Sequence, residues 1–352
     1  MPECMDGRQG VRRDVLDPSS TCPASQPWIK ILAPYQESDP RRSVLQLLTS
    51  AIPFCLIWFA MLRSLDHAYW ITLLLALPGA GFLLRLFILQ HDCGHGSFFT
   101  SRAVNDSLGS SLGVLTLTPY HYWRKTHALH HATSGNLDRR GVGDVETLTV
   151  KEYLNLPKRK RLTYRLYRNP FILFGIGPAF HFIVEHRFPR GLARSCKKEW
   201  ANIHGTNLAI LVVVAIMWQT IGIQRFLMVQ LPIITLTSSI GVWFFYMQHQ
   251  FEDTYWRHSS GWDFQAAALR GSSYYDLPKI LRWFTGNIGL HHIHHLCSRI
   301  PNYRLQECFD ENRELQQATR LTLRQSLTCV WLTLWDEEQQ RMVRFQTVRS
   351  AE

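Results

Sequence analysis

Four long apolar stretches, set as two close pairs, limit what this chain can fold into more than any other feature. The first pair is 43–64 (SVLQLLTSAIPFCLIWFAMLRS) and 68–90 (AYWITLLLALPGAGFLLRLFILQ); the second is 207–223 (NLAILVVVAIMWQTIGI) and 226–249 (FLMVQLPIITLTSSIGVWFFYMQH). A bilayer core is crossed by a helix of about 20 mostly apolar residues. Any one stretch alone could be a buried core helix, but four nearly uncharged ones in tight pairs do not suit a soluble domain. The mean hydropathy of −0.11 hides them by averaging over polar segments. The reading is an all-α integral membrane protein with four transmembrane helices in two hairpins. Two weaker stretches, 107–120 and 170–184, are short and contain Gly or Pro, which fits interfacial or re-entrant segments.

Charge placement gives the orientation. The 352 residues hold 38 Lys+Arg against 27 Asp+Glu, a net charge of +11. Many of the basic residues lie between the pairs: Arg124, Lys125, Arg139, Arg140, Lys151, the run Lys158-Arg159-Lys160-Arg161, Arg165, Arg168, Arg187, Arg190, Arg194, Lys197 and Lys198. The hairpin tips hold almost none. Cytoplasmic loops collect Lys and Arg, so the middle stretch and both termini are expected in the cytosol. Anionic head groups account for basic residues beside spans. No nucleic-acid module is present, and a nucleic-acid partner is not expected. The expected organisation is an N-terminal cytosolic tail (1–40), a membrane domain (41–310) and a C-terminal cytosolic helical extension (311–352). The eight cysteines have no CxxC spacing and read as reduced thiols.

Three histidine clusters carry the chemistry. They are His91-Asp92-Cys93-Gly94-His95, His127-Ala128-Leu129-His130-His131 and His291-His292-Ile293-His294-His295. Residues three and four apart share a helix face, which groups His91 with His95, His127 with His130 and His131, and His291 with His294 and His295. A single HxxxH pair is ordinary. Eight imidazoles on one side of one membrane exceed what a single ion takes, so two metal ions are implied. Imidazole suits zinc, copper, nickel and iron alike. The HExxH pattern of zinc proteases is absent, and Asp92, the only carboxylate within a cluster, lies off the face shared by His91 and His95.

These boxes, HDCGH, HALHH and HHIHH, resemble in order and placement those of the membrane fatty acid desaturases. The strings HDCGHGSFF, THALHHATSGNLDRRGVGDVETLTVKEY, QHQFEDTYW and GSSYYDLPKILRWFTGNIGLHHIHHLCSRIPNYRL are similar to those of the bacterial acyl-lipid desaturases. The resemblance runs from about Trp28 to Cys308. It implies a helical cytosolic cap carrying the boxes, two non-haem iron ions as cofactor, O2 as co-substrate, and a double bond made in acyl chains of membrane lipids. The implied ligands are His91, His95, His127, His130, His131, His291, His294 and His295, with His249 at the end of the last span as a ninth. Asn287, one turn before His291, is implied to reach an iron through water or to orient a ligand. A bacterial inner-membrane location follows from the same resemblance.

A mid-chain methylene has no acidic proton and no leaving group, so its C–H bond calls for a metal-bound oxidant rather than acid–base chemistry. The chain has no HPGG haem motif and no GxGxxG fingerprint. A separate small electron carrier such as a ferredoxin is therefore expected, with an acidic one favoured by steering toward a basic surface. The alternative function is a hydroxylase or ketolase of a terpenoid, alkane or sphingoid chain with the same boxes. A metal sensor or transporter needs ionisable residues inside the spans, and Arg85 is nearly alone there. His67, His181, His186, His204 and His258 read as structural or solvated, and His121 is ambiguous. Tyr69, Trp70, Trp218, Trp243 and Tyr246 read as interface anchors or packing. The double-bond position depends on the depth and kink of the acyl tunnel, and the choice of glycerolipid over coenzyme A or carrier protein as acyl carrier rests on the family resemblance alone.

Overall fold

The structure, a computed structural model, describes residues 26–189 and 192–349. Most of the expected N-terminal tail lies outside these residues. Its last part is packed: helix α1 (Gln26–Leu32) and the 3-10 turn Ala33–Tyr35 bury Leu32 and Tyr35 in the core around the third box.

The four apolar stretches form the four helices that, among the described residues, are long and apolar enough to cross a membrane. Helix α2 (Pro40–Ser64) opens with Pro40 in its first turn and with Asp39 accepting from the backbone N–H of Arg41 at 2.9 Å; such a cap satisfies an otherwise orphan donor. After a four-residue tip, α3 (Tyr69–His95) runs back. Helices α4 (Arg102–Leu115) and α5 (Tyr120–Thr133) follow, then strand β1 (Leu148–Thr149), α6 (Val150–Asn155), α7 (Lys158–Tyr167), a π-helical turn Ile172–Ile176 and α8 (Gly177–Ile183). The second hairpin is α9 (Lys197–Ile221) and α10 (Ile223–His249), joined by Gly222 alone at φ 82. Beyond it come α11 (Phe264–Arg270), β2 (Tyr274–Asp276), α12 (Lys279–Phe284), α13 (His291–Leu296), α14 (Asn302–Glu311), β3 (Arg320–Thr322), α15 (Leu323–Cys329), β4 (Leu334–Asp336), β5 (Arg341–Val343) and α16 (Phe345–Arg349).

Helix α3 is the hub, packed between α2 and α10; Ala76, Leu83, Met61 and Ile233 are fully buried there. Helix α9 is the least buried of the four. The tips are tied by Arg225 Nη1 donating to Asp66 Oδ1 at 2.7 Å. Two helices outrun their apolar stretches. α3 continues through the first box, and α9 begins ten residues before the expected start, because backbone hydrogen bonding does not stop where side chains turn polar. Of the weaker stretches, 107–120 covers most of α4, packed on α3 and α9, and 170–184 covers the π turn and α8. Phe171 and Ile176 are exposed there, as an interfacial segment requires.

The C-terminal stretch corrects the expectation of a purely helical extension. It contains β3, β4 and β5; β4 pairs in parallel with β1 and antiparallel with β5, while β3 pairs in parallel with β2. Trp335 is fully buried in one core with Tyr246 and Met247 of α10. Buried Arg168 joins the three regions, donating to the carbonyl of Glu146 (2.8 Å), the Tyr246 hydroxyl (2.9 Å) and the Leu332 carbonyl (2.9 Å). Such long-range pairing has no local signature in strands of two or three residues. Cys55, Cys93, Cys196, Cys308 and Cys329 are free thiols as expected.

Candidate metal centre

The first box occupies the last turns of α3. Gly96 ends that helix by taking the left-handed conformation, φ 66, and donating to the carbonyls of Asp92 and Cys93, a conformation glycine adopts without a Cβ penalty. The second box lies on α5, which approaches α3 closely because position 94 is glycine: a Cβ there would stand 3.0 Å from the Trp123 ring. Trp123 stacks on His127, centroids 4.7 Å apart and planes 13° apart. The third box is α13, buried throughout, and follows the turn in which Gly286 and Asn287 both have positive φ, 54 and 55. His249 is the last residue of α10.

These elements bring nine histidines together in two groups. His91, His95, His127, His131 and His294 form one; His130, His249, His291 and His295 form the other, and within each the ligand nitrogens lie within 4.8 Å of one another. The adjacent residues His130 and His131 point about 100° apart on a helix and serve different groups. In the first, the Nε2 atoms of His91 and His95 face each other at 3.3 Å, those of His127 and His131 at 3.1 Å, and those of His131 and His294 at 3.1 Å. In the second, His249 and His291 approach at 3.0 Å. The Nε2 atoms of His130 and His295 are buried with no hydrogen-bond partner among the described residues. Burial, reinforced by neighbouring imidazoles, holds His127, His131, His291, His294 and His295 well below the ordinary histidine pKa. Neutral imidazoles with converging lone pairs and unpaired buried nitrogens are what a site for two cations requires.

A second layer fixes the far nitrogens. His91 Nδ1 donates to Asp92 Oδ1 at 3.2 Å, while Asp92 Oδ2 accepts from the backbone N–H and the side-chain amide of Asn302 at 2.7 and 2.8 Å. His130 Nδ1 donates to Asp144 Oδ1. His249 Nδ1 donates to the Gly271 carbonyl at 3.1 Å. Each bond places the proton on Nδ1 and leaves Nε2 free to ligate. Reading the sequence missed the roles of Asp144, Asn302 and Gly271. Asp144 had a faint signal, an acidic residue in the glycine-bracketed turn GVGDVE shortly after the second box.

The other candidates fall elsewhere. Asn287 is half-buried at φ 55 in the turn that leads into α13. His292 turns away and its Nε2 donates to the Leu315 carbonyl at 2.9 Å. His67, His121 and His204 are exposed. His258 bridges Asp138 (2.7 Å) and Glu337 (3.0 Å). His181 pairs with Glu185 at 2.9 Å, and its ring lies 4.5 Å from that of His186, a proximity at five-residue spacing to which the sequence reading gave no weight. Arg85 is buried in α3, its Nε donating to Ser50 Oγ at 3.0 Å and its guanidinium lying 4.0 Å over Trp283.

Comparison with known proteins agrees with this geometry. The model of the family described as fatty acid desaturase matches residues 67–326. A fatty acid desaturase of Bacillus subtilis is 46% identical over 320 residues, covering 91% of this chain and 90% of the relative. An sn-1 oleoyl-lipid 12-desaturase of Synechocystis is 28% identical over 256 residues, 67% of this chain and 65% of the relative. An sn-1 acyl-lipid omega-3 desaturase (ferredoxin) of Nostoc is 24% identical over 286 residues, 79% and 76% of the two chains.

Proposed function

Because the chain belongs to the fatty acid desaturase family, we propose that its two histidine groups hold two non-haem irons and that it desaturates acyl chains esterified to membrane lipids. The observation that carries this reading is the sorting of nine imidazoles into two sets, with buried Nε2 atoms converging and Nδ1 atoms tied back by Asp92, Asp144 and the Gly271 carbonyl. When bound, iron supplies the O2-derived oxidising power that removes two hydrogens from adjacent methylenes. The chain's own residues do the rest. His91, His95, His127, His131 and His294 hold one ion, and His130, His249, His291 and His295 the other. Asp92 and Asp144 fix the ligand tautomers and ring orientations. Trp123 and Phe245, packed on His127 and on His130 respectively, keep the surroundings apolar and exclude water. Asn287, in the turn that delivers α13, is assigned to reach an iron through water or to orient a ligand.

Desaturation with O2 also takes up two electrons and two protons and releases two waters. We assign the electrons to a separate small carrier such as a ferredoxin. The centre and both termini are assigned to the cytosolic side of the bacterial inner membrane, on the basic character of the stretch between the hairpins. The Bacillus, Synechocystis and Nostoc relatives are all desaturases by name, so the hydroxylase and ketolase readings are not retained. The test is fatty acid profiling of a host expressing the chain beside its His294→Ala variant. New unsaturated acyl chains in the lipid fraction are expected only with the unaltered sequence; an oxygenated product, or equal profiles, refutes the proposal.

A further inference from the structure

Among the described residues, the C-terminal stretch leaves an apolar face uncovered. Strands β2 and β3 lie side by side with Tyr275 opposite Leu321, and they lead into α12 and α15. At 100° per residue, α15 turns Ser326 and Cys329 inward, with Val330 just beyond, and all three are buried. Beside that buried arc stand Leu323 and Leu327, 45% and 60% exposed, followed past the helix end by Trp331 at 52%. Arg324, Gln325 and Thr328 fill the remaining arc. The apolar arc is therefore far wider than the protein covers. Helix α12 repeats the pattern: none of its residues is fully buried, and Ile280 is 67% exposed.

Both helices lie beside candidate spanning helices. Trp283 and Phe284 of α12 pack edge-on against Phe82 of α3, at 5.8 and 5.1 Å between ring centroids, and Arg85 lies over Trp283. Phe82 and Arg85 precede His91 by nine and six residues, which at 1.5 Å per residue is about 9–14 Å toward the membrane interior. Helix α12 thus stands alongside a spanning helix and not beyond its end. Helix α15 is tied to α10 by Trp243 Nε1 donating to the Tyr275 hydroxyl (3.2 Å), which donates to Ser326 Oγ (3.0 Å). Trp243 lies nearly two turns inside the end of α10. Exposed Lys279 and Arg324 flank the apolar residues, while Arg320 is paired with Asp276.

We propose that α12 and α15 form an in-plane membrane contact, in which phospholipid of the leaflet nearest the histidine groups covers Ile280, Leu323, Leu327 and Trp331. Lys279 and Arg324 then meet anionic head groups, as on other helices that lie in the interface. The uncovered arc lies beside the ends of two spanning helices, α3 and α10, and its flanking charge is positive, so a bilayer fits it better than a soluble partner does. The C-terminal stretch becomes part of the membrane-bound body, and the turn from α12 to α13 fixes the depth of the third box. This inference does not depend on which metal the centre holds.

The test uses the full chain in vesicles of phosphatidylcholine and phosphatidylglycerol, with photoreactive p-benzoylphenylalanine at one exposed position at a time. Leu327 is the probe, Thr328 on the polar arc the negative control, and Leu211, 64% exposed on α9, the positive control. Phospholipid adducts are counted by mass spectrometry. The yield at Leu327 is expected within about twofold of that at Leu211 and about tenfold above that at Thr328, because only the apolar face of an interfacial helix reaches the acyl boundary. Equal, low yields at 327 and 328 beside a strong signal at 211 overturn the proposal. Crosslinking of Leu327 to a second copy of the chain overturns it as well, in favour of self-association.

Discussion

Replacing Asp144 by Asn tests whether the two histidine groups are independent metal sites. The His130 and Asp144 side chains are 1% and 9% exposed, and their hydrogen bond is the only tie on His130 Nδ1 among the described residues. Without the carboxylate, the His130 ring loses both its fixed tautomer and its orientation toward His249, His291 and His295. Losing such a partner costs ten- to a hundredfold in metal affinity, about 1.4–2.8 kcal/mol at 1.4 kcal/mol per decade. Asn keeps one oxygen acceptor and belongs near the lower figure; Asp144→Ala keeps none and belongs near the upper. The first group has its own carboxylate, Asp92, held by Asn302 and not by the loop around residue 144. The loss should therefore be confined to one of two ions. The assay is competition with a graded chelator, iron per chain being counted by elemental mass spectrometry. The expected curve has one step at the unaltered position and one shifted to weaker binding. Two steps shifted together, or neither shifted, would refute the reasoning.

Two further outcomes follow from the side chains around the centre. His292→Ala is expected to retain both ions but to melt earlier by the equivalent of about 1–3 kcal/mol, since it leaves the Leu315 carbonyl without its buried partner; His291→Ala should lose metal, and metal loss in the first variant counts against the ligand assignment. His258 has its pKa raised above the ordinary value of about 6.5, first by the hydrogen bond to Asp138 and then by that to Glu337. Its contribution to stability is therefore fully present below that ordinary value and fades as pH rises through the raised one. A plot of melting temperature against pH should lose this slope in His258→Gln, and an unchanged slope would remove His258 as its source.

The sequence made the spans and the boxes legible for a local reason. Apolarity over about 20 residues and spacing of three and four are properties of one helix, and each of the nine histidines was reached through them or through the family resemblance. Helical spacing could not tell that His130 and His131 part company, since both lie within reach of His127, and only the positions of α3, α10 and α13 separate them. Nor could it show Asp144, Asn302 or Gly271, whose partners are 14, 210 and 22 residues away in the chain. The strands of the C-terminal stretch escaped for the same reason, being too short to display alternation and held by pairing with distant segments.

Helices α3 and α10 pass from the hairpin tips to His95 and His249 without a break, so no loop separates lipid-embedded turns from imidazole-bearing ones. A helix of 27 residues is about 40 Å long, and pivoting it by about 5° swings its end by about 3.5 Å, comparable to the gap between facing imidazole nitrogens. Spans adjust to a thicker or thinner bilayer chiefly by tilting. The two groups draw their spanning ligands from different hairpins, His91 and His95 from one and His249 from the other. A differential tilt therefore changes the separation of the two groups. Any such difference in tilt would reach the imidazoles directly, with no loop between span and ligand to absorb it.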